Sequence, residues 1–121
     1  MATILTVNAQ ERSTYVITVA FKDEDGQDVI PTSAVWTLTD EDGTVINSRQ
    51  DVVISSLAAS VDVVLSGANL AVDTGFAGTA QERTFTVDAV YTSSLGSGLP
   101  LTAWCRFNVE KRTRTQNSAT I

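Results

Sequence analysis

The sequence predicts an all-β domain, and three observations carry that expectation. Apolar and polar residues alternate with a period of two over most of the chain, and almost no stretch has a period of 3.6. Thr and Val, whose branched side chains suit a pleated and half-buried surface, dominate, while good helix formers are thin. At 121 residues, 43% hydrophobic and 18% charged, the chain can bury one core and lies far from disordered compositions.

Taken in order, the elements begin with a strand over residues 3–8. A second covers 14–22, where Tyr15, Ile17, Val19 and Phe21 form one apolar face and Thr18 and Lys22 take the other. A third, 34–39, follows Pro31 and places Trp36 and Leu38 inward, with Thr37 and Thr39 facing away. Gly43-Thr44 then turns into a strand over 45–48, and 52–54 supplies the next. In 60–66, Val61, Val63 and Leu65 point inward and Asp62 outward, so a charge opposite three aliphatics sets the register.

Residues 67–83 read as a long crossover loop broken by Gly67, Gly75 and Gly78, in which Leu70 and Val72 could anchor a helical turn on the core. The sharpest alternation follows over 84–92: Phe85, Val87, Ala89 and Tyr91 against Thr84, Thr86, Asp88 and Thr92. A Ser/Gly-rich hairpin connection over 93–100 leads to the last strand, 101–109. There Leu101, Ala103, Cys105, Phe107 and Val109 share a face, and Trp104 alone breaks the polar set of Thr102, Arg106 and Asn108. The chain divides into a sandwich over 1–110 and a flexible polar, basic tail over 111–121.

About seven short strands, a Trp on the third and a Tyr on the penultimate one, predict an immunoglobulin-like Greek-key β-sandwich. Asp88-Ala89-Val90-Tyr91 approximates the spacing before a tyrosine corner, whereas the cysteine pair of such domains is missing. A lone cysteine, Cys105, closes no internal disulfide, as expected of a protein made in a reducing cytosol.

Several function classes are disfavoured by composition. The net charge of −6 argues against nucleic acid, which needs a clustered basic surface. The first residues, Met1-Ala2-Thr3-Ile4-Leu5, lack the features of a signal peptide, and no apolar run has the length of a membrane span. Histidine is absent, which removes Ser–His and Cys–His nucleophile systems and the commonest metal ligand. Cys105 lies on an apolar face and reads as a buried, inert thiol. The glycines of 95–98 join two strands and precede no helix, so they form no phosphate cradle. The expectation is a protein without catalytic residues or cofactors.

One motif repeats: Asp-Glu-Asp-Gly at 23–26 and again at 40–43. Asp23, Asp25 and Asp28 at the first copy, and Asp40 and Asp42 at the second, are the candidate calcium ligands, because a hard cation gathers six or more oxygens. A pair of turns explains the motif without a metal, since Asp tolerates turn conformations and Gly supplies positive φ. With the strand 34–39 between them, the two copies are expected at opposite ends of the sandwich, on the order of 20 Å apart. What remains is surface. Trp104 and Arg106 on an outward face are candidate partner contacts, as are Lys111, Arg112 and Arg114, which concentrate positive charge beside an acidic body.

The runs Tyr15 to Phe21 into Asp23-Glu24-Asp25-Gly26, Pro31-Thr32-Ser33 into Trp36-Thr37-Leu38-Thr39-Asp40, and Tyr91-Thr92-Ser93-Ser94-Leu95-Gly96 before Leu99-Pro100-Leu101 resemble small Ig-like structural proteins of tailed bacteriophages. The resemblance spans most of the chain. It implies a non-enzymatic virion component, a capsid decoration protein or a head–tail or tail subunit. It implies assembly in the host cytoplasm, with capsid, portal or tail proteins as partners and many symmetric copies. The alternative is a carbohydrate- or surface-binding Ig-like module of a bacterial adhesin.

Overall fold

The structure, a computed structural model, describes residues 2–4 (backbone only), 7–73 and 75–111. Among these, the chain is all-β apart from one short 3₁₀ turn. In order come β1 (Ala2–Ile4), β2 (Ala9–Gln10), β3 (Thr14–Ala20), β4 (Ser33–Asp40), β5 (Val52–Val53), β6 (Ser60–Ser66), the 3₁₀ turn Gly67–Leu70, β7 (Ala80–Ser93) and β8 (Gly96–Glu110).

Two sheets form. The larger is mixed and ordered β1-β8-β7-β4-β5, with β2 also on β8, and the smaller is the antiparallel pair β3-β6. The chain therefore starts in the large sheet, crosses to β3, returns through β4 and β5, crosses again to β6 and comes back to β7 and β8. β1 and β2 both run parallel to β8, while β4, β7 and β8 are antiparallel neighbours.

Alternation decides what each sheet gives the core. Ile17, Val19, Val63 and Leu65 of the small sheet meet Trp36, Leu38, Phe85, Val87, Phe107 and Val109 of the large one in a single buried cluster. The layers touch directly where the Tyr15 and Phe107 rings stack at 4.9 Å, and within the large sheet Trp36 lies 5.5 Å from Phe85. Leu38, Leu65, Leu70 and Val109 have no exposed surface, so truncating any of the three leucines to Ala should remove about 2–5 kcal/mol.

The strands expected at 14–22, 34–39, 52–54, 60–66, 84–92 and 101–109 are all present with the expected inward faces, although several bounds differ. Four segments depart further. The stretch 3–8 is not one strand. Val7 and Asn8 are not strand, residues 5–6 lie outside the described residues, and the register on β8 differs by two residues between the Ile4–Arg106 and Ala9–Val109 pairs. The 45–48 strand reduces to a single bridge between Thr39 and Val45. Asn47 and Ser48 then adopt left-handed φ of 52° and 57°, and the Arg49 carbonyl returns to accept from Leu38.

The crossover 67–83 contains the anticipated helical turn, with Leu70 fully buried, but β7 begins at Ala80. Gln81 and Arg83 occupy inward positions there, and polar residues on an inward face hide a strand from an alternation count. The hairpin connection shrinks from 93–100 to Ser94-Leu95, because backbone pairing carries the Gly/Ser/Pro stretch into β8 through a one-residue irregularity between Tyr91 and Ser93.

Candidate interaction surfaces

The two Asp-Glu-Asp-Gly loops are built alike. In the first, Oδ1 of Asp23 accepts from the backbone N–H groups of Asp25 and Gln27, both at 2.9 Å. The Asp23 N–H donates to the Gln27 carbonyl, and Gly26 takes φ +76°. In the second, Oδ1 of Asp40 accepts from Asp42 and Thr44 at 2.9 Å, the Asp40 N–H donates to the Thr44 carbonyl, and Gly43 takes φ +85°. Each is a hairpin tip in which Asp satisfies the turn and Gly supplies the left-handed residue.

The loops lie at opposite ends of β4, as expected. Ser33 at its start pairs with Val90, beside the Tyr91 hydroxyl that reaches the first loop, and Asp40 at its end pairs with Arg83. Asp23, Glu24 and Asp25 bring carboxylate oxygens within 4.8 Å of one another. Two of these carboxylates are engaged elsewhere. Asp23 holds its turn, and Oε1 of Glu24 accepts from the hydroxyls of Tyr91 at 2.9 Å and Ser93 at 3.1 Å. Asp28 forms an ion pair with Lys22. The hydrogen bond to Glu24, followed by burial, raises the Tyr91 hydroxyl above its ordinary pKa. Tyr91 sits near the end of β7 and grips a side chain, so it is no tyrosine corner, whose hydroxyl would bond upstream backbone near a strand start.

Trp104 lies on the outward face of the large sheet, level with Thr86 and Thr37, and Arg106 is level with Thr84 and Thr39. The Arg106 guanidinium carbon sits 5.0 Å from the centroid of the Trp104 ring, within cation–π range. β1 runs alongside, and Trp104 is half-buried while Arg106 is exposed. Lys111 is tied to the body, its N–H to the Thr79 carbonyl and its Nζ to the Phe76 carbonyl at 2.7 Å. Arg112 and Arg114 lie outside the described residues. The surface therefore brings Trp104 and Arg106 together and keeps Lys111 at the far end of β8.

Cys105 is buried as expected, and burial pushes its thiol up to about 11. Compared with protein-family models, curated proteins and solved structures, the chain matches none. No helix among the described residues is long and apolar enough to cross a membrane.

Three polar clusters escaped sequence reasoning. Asn8 and Gln10 donate to the two carboxylate oxygens of Glu110 at 2.9 and 2.7 Å, which lowers the Glu110 pKa and latches β2 to the end of β8. Asn47 and Arg49 both donate to Asn69 Oδ1, tying the 3₁₀ turn to the loop after β4. Arg83 is fully buried among Ala71, Gln81 and Asp73. The first two do not follow from spacing, because their partners are separated by 20 to 102 residues. A fourth feature was readable. Val16 and Val64 sit at outward positions of alternating strands, pair directly, and stay 51% and 54% exposed.

Proposed function

We propose that the chain is an immunoglobulin-like Greek-key module serving as a structural protein of a tailed-phage virion. It binds capsid, portal or tail proteins in many symmetric copies, as capsid decoration or as a head–tail or tail subunit. The observation that carries the reading is connectivity. Strands β3 and β6 form one layer, the order β8-β7-β4-β5 forms the other, and the chain crosses between layers after β2, β3, β5 and β6. That distribution supports a reading of the layers as the B–E and G–F–C–C′ sheets of an Ig-type sandwich, without its disulfide.

Absent histidine and a thiol held neutral by burial support a role through surface contact and not through catalysis. Trp104, Arg106 and Lys111, with Arg112 and Arg114, are the residues proposed to meet partners, because Trp and Arg dominate interface energetics. A modest contact per copy becomes firm attachment when repeated by symmetry.

The experiment is a quantitative mass spectrum of virions purified from the phage that encodes the chain. The expected result is the protein in stoichiometric, multi-copy amount with the capsid, portal or tail proteins. Its absence from intact particles would sink the reading, and recovery bound to cell-surface glycans would turn it toward the adhesin alternative.

A further inference from the structure

Among the described residues β3 and β6 pair only with each other, so each presents an open edge seven residues long. The ladder fixes which backbone groups are free on β3. The Ser13 carbonyl accepts from Gly67 and the Phe21 N–H donates to Ala59, at the two ends of the pairing. Hydrogen-bonded pairs therefore fall on odd-numbered residues, and Thr14, Val16, Thr18 and Ala20 turn their N–H and C=O groups to the open side. The same four residues carry the exposed side chains.

We propose that the β3 edge is a self-association surface whose occupant is the β3 of a second copy, joined antiparallel about a two-fold axis at Ile17. The small sheets of the two copies then form one four-stranded layer. This inference stands on the edge alone and does not rest on the virion reading.

Two arguments select a second copy. The first is charge. β3 reads Thr-Tyr-Val-Ile-Thr-Val-Ala and contains no charged residue, Pro or Gly, the devices with which proteins blunt an open edge. In a chain of net charge −6, pairing the seven residues of this edge sets no like charges opposite one another within the strand. The second is register. With the axis at Ile17, Val16 exchanges backbone hydrogen bonds with Thr18 of the second copy, and Thr14 does so with Ala20. Ile17 meets Ile17 and Tyr15 meets Val19 on the inward face, so apolar residues oppose apolar residues throughout.

The outward row then runs Val64, Val16, Thr18, Asp62 across the two copies, leaving each Thr18–Asp62 hydrogen bond of 2.7 Å in place. The two Asp62 carboxylates end three strand spacings apart, about 14 Å, which exceeds the screening length at physiological salt. Pairing through β6 about Val63 would set Asp62 diagonally next to Asp62 of the second copy, roughly 7–8 Å away. Charge thus favours β3 over β6. One strand pair buries less than a standard interface, so association is concentration-dependent.

Sedimentation equilibrium of the full chain from about 1 µM to about 1 mM tests this, a range that brackets weak and moderate dissociation constants. The expected mass rises from 12.9 kDa toward twice that value. Val16→Glu, on an exposed position, should weaken association by about tenfold or more, and Val64→Glu should leave it as in the wild type. Amide exchange of the wild type should show the Val16 and Thr18 N–H groups gaining protection as concentration rises, a readout that holds even if a variant fails to fold. A wild type that stays monomeric throughout overturns the proposal. So does a folded Val16→Glu chain that associates as the wild type does, or protection gained at Asp62 and Val64 and not at Val16 and Thr18.

Discussion

Arg83 shows how much a single side chain can carry in a small core. Its stem fills an inward position of β7. Its guanidinium donates to the Ala71 carbonyl at 3.1 Å, Gln81 Oε1 at 2.8 Å and the Glu82 carbonyl at 2.9 Å, with Asp73 Oδ1 at 3.5 Å. Among the described residues Nε has no hydrogen-bond partner. Arg83→Ala removes stem and donors together and should cost about 3 kcal/mol in urea denaturation, whereas Arg83→Met keeps the apolar volume and should cost clearly less. Equal losses would show that packing of the stem contributes nothing. Cys105 makes the complementary case. Its ordinary pKa of 9.0 is pushed up to about 11, so at intermediate pH the unfolded chain has released the proton that the folded chain keeps. Stability therefore falls as pH rises through that window, by on the order of 1 kcal/mol near pH 10. Cys105→Ala should flatten the decline between about pH 8.5 and about pH 10 in thermal melts, and an unchanged slope would contradict the burial of the thiol. Cys105 was legible in the sequence because it falls on an apolar alternation. Arg83 was not, because a cation at an inward position resembles loop composition.

At the scale of elements, the two acidic tips test whether a turn alone accounts for the repeated motif. Asp23→Ala and Asp40→Ala each delete an acceptor for two backbone N–H groups. Each should lower stability by about 1 kcal/mol, with Asn replacements losing less. Millimolar calcium should leave the melting temperature of the wild type unchanged, and a saturable calorimetric signal with a raised melting temperature would favour the metal reading. Strands with clean alternation, such as β3, β6 and most of β7, were legible because one buried face leaves a period of two in the sequence. The N-terminal strand was mistaken for one piece because a two-residue slip against β8 leaves no trace in hydropathy. The false strand at 45–48 has a different origin. Val45 and Ile46 favour β structure, but Asn47 and Ser48 turn left-handed, and the loop closes on Asn69 through contacts 20 and 22 residues distant. The glycines of early β8 read as a loop, yet φ of 144° at Gly96 and 69° at Gly98 is how that strand begins.

For the molecule as a whole, two unequal sheets share one core, and the sequence predicted that layering without revealing which edges stay open. The candidate contacts Trp104 and Arg106 were legible as an aromatic and a cation on the wet face of the last strand. Their approach follows from the i, i+2 spacing on one face of β8, whereas the parallel pairing of β1 alongside Trp104 is encoded in no local pattern. The proposed role through outer surfaces depends on the two layers meeting face to face. Nuclear Overhauser contacts between the Tyr15 and Phe107 rings measure that meeting directly, because the rings belong to different sheets and stack at 4.9 Å. The expected spectrum shows strong ring-to-ring contacts together with cross-strand contacts pairing Tyr15 with Leu65 and Phe107 with Arg83. Absence of the Tyr15–Phe107 contact in a folded sample, or sequential amide contacts of helical type through 14–20, would contradict it.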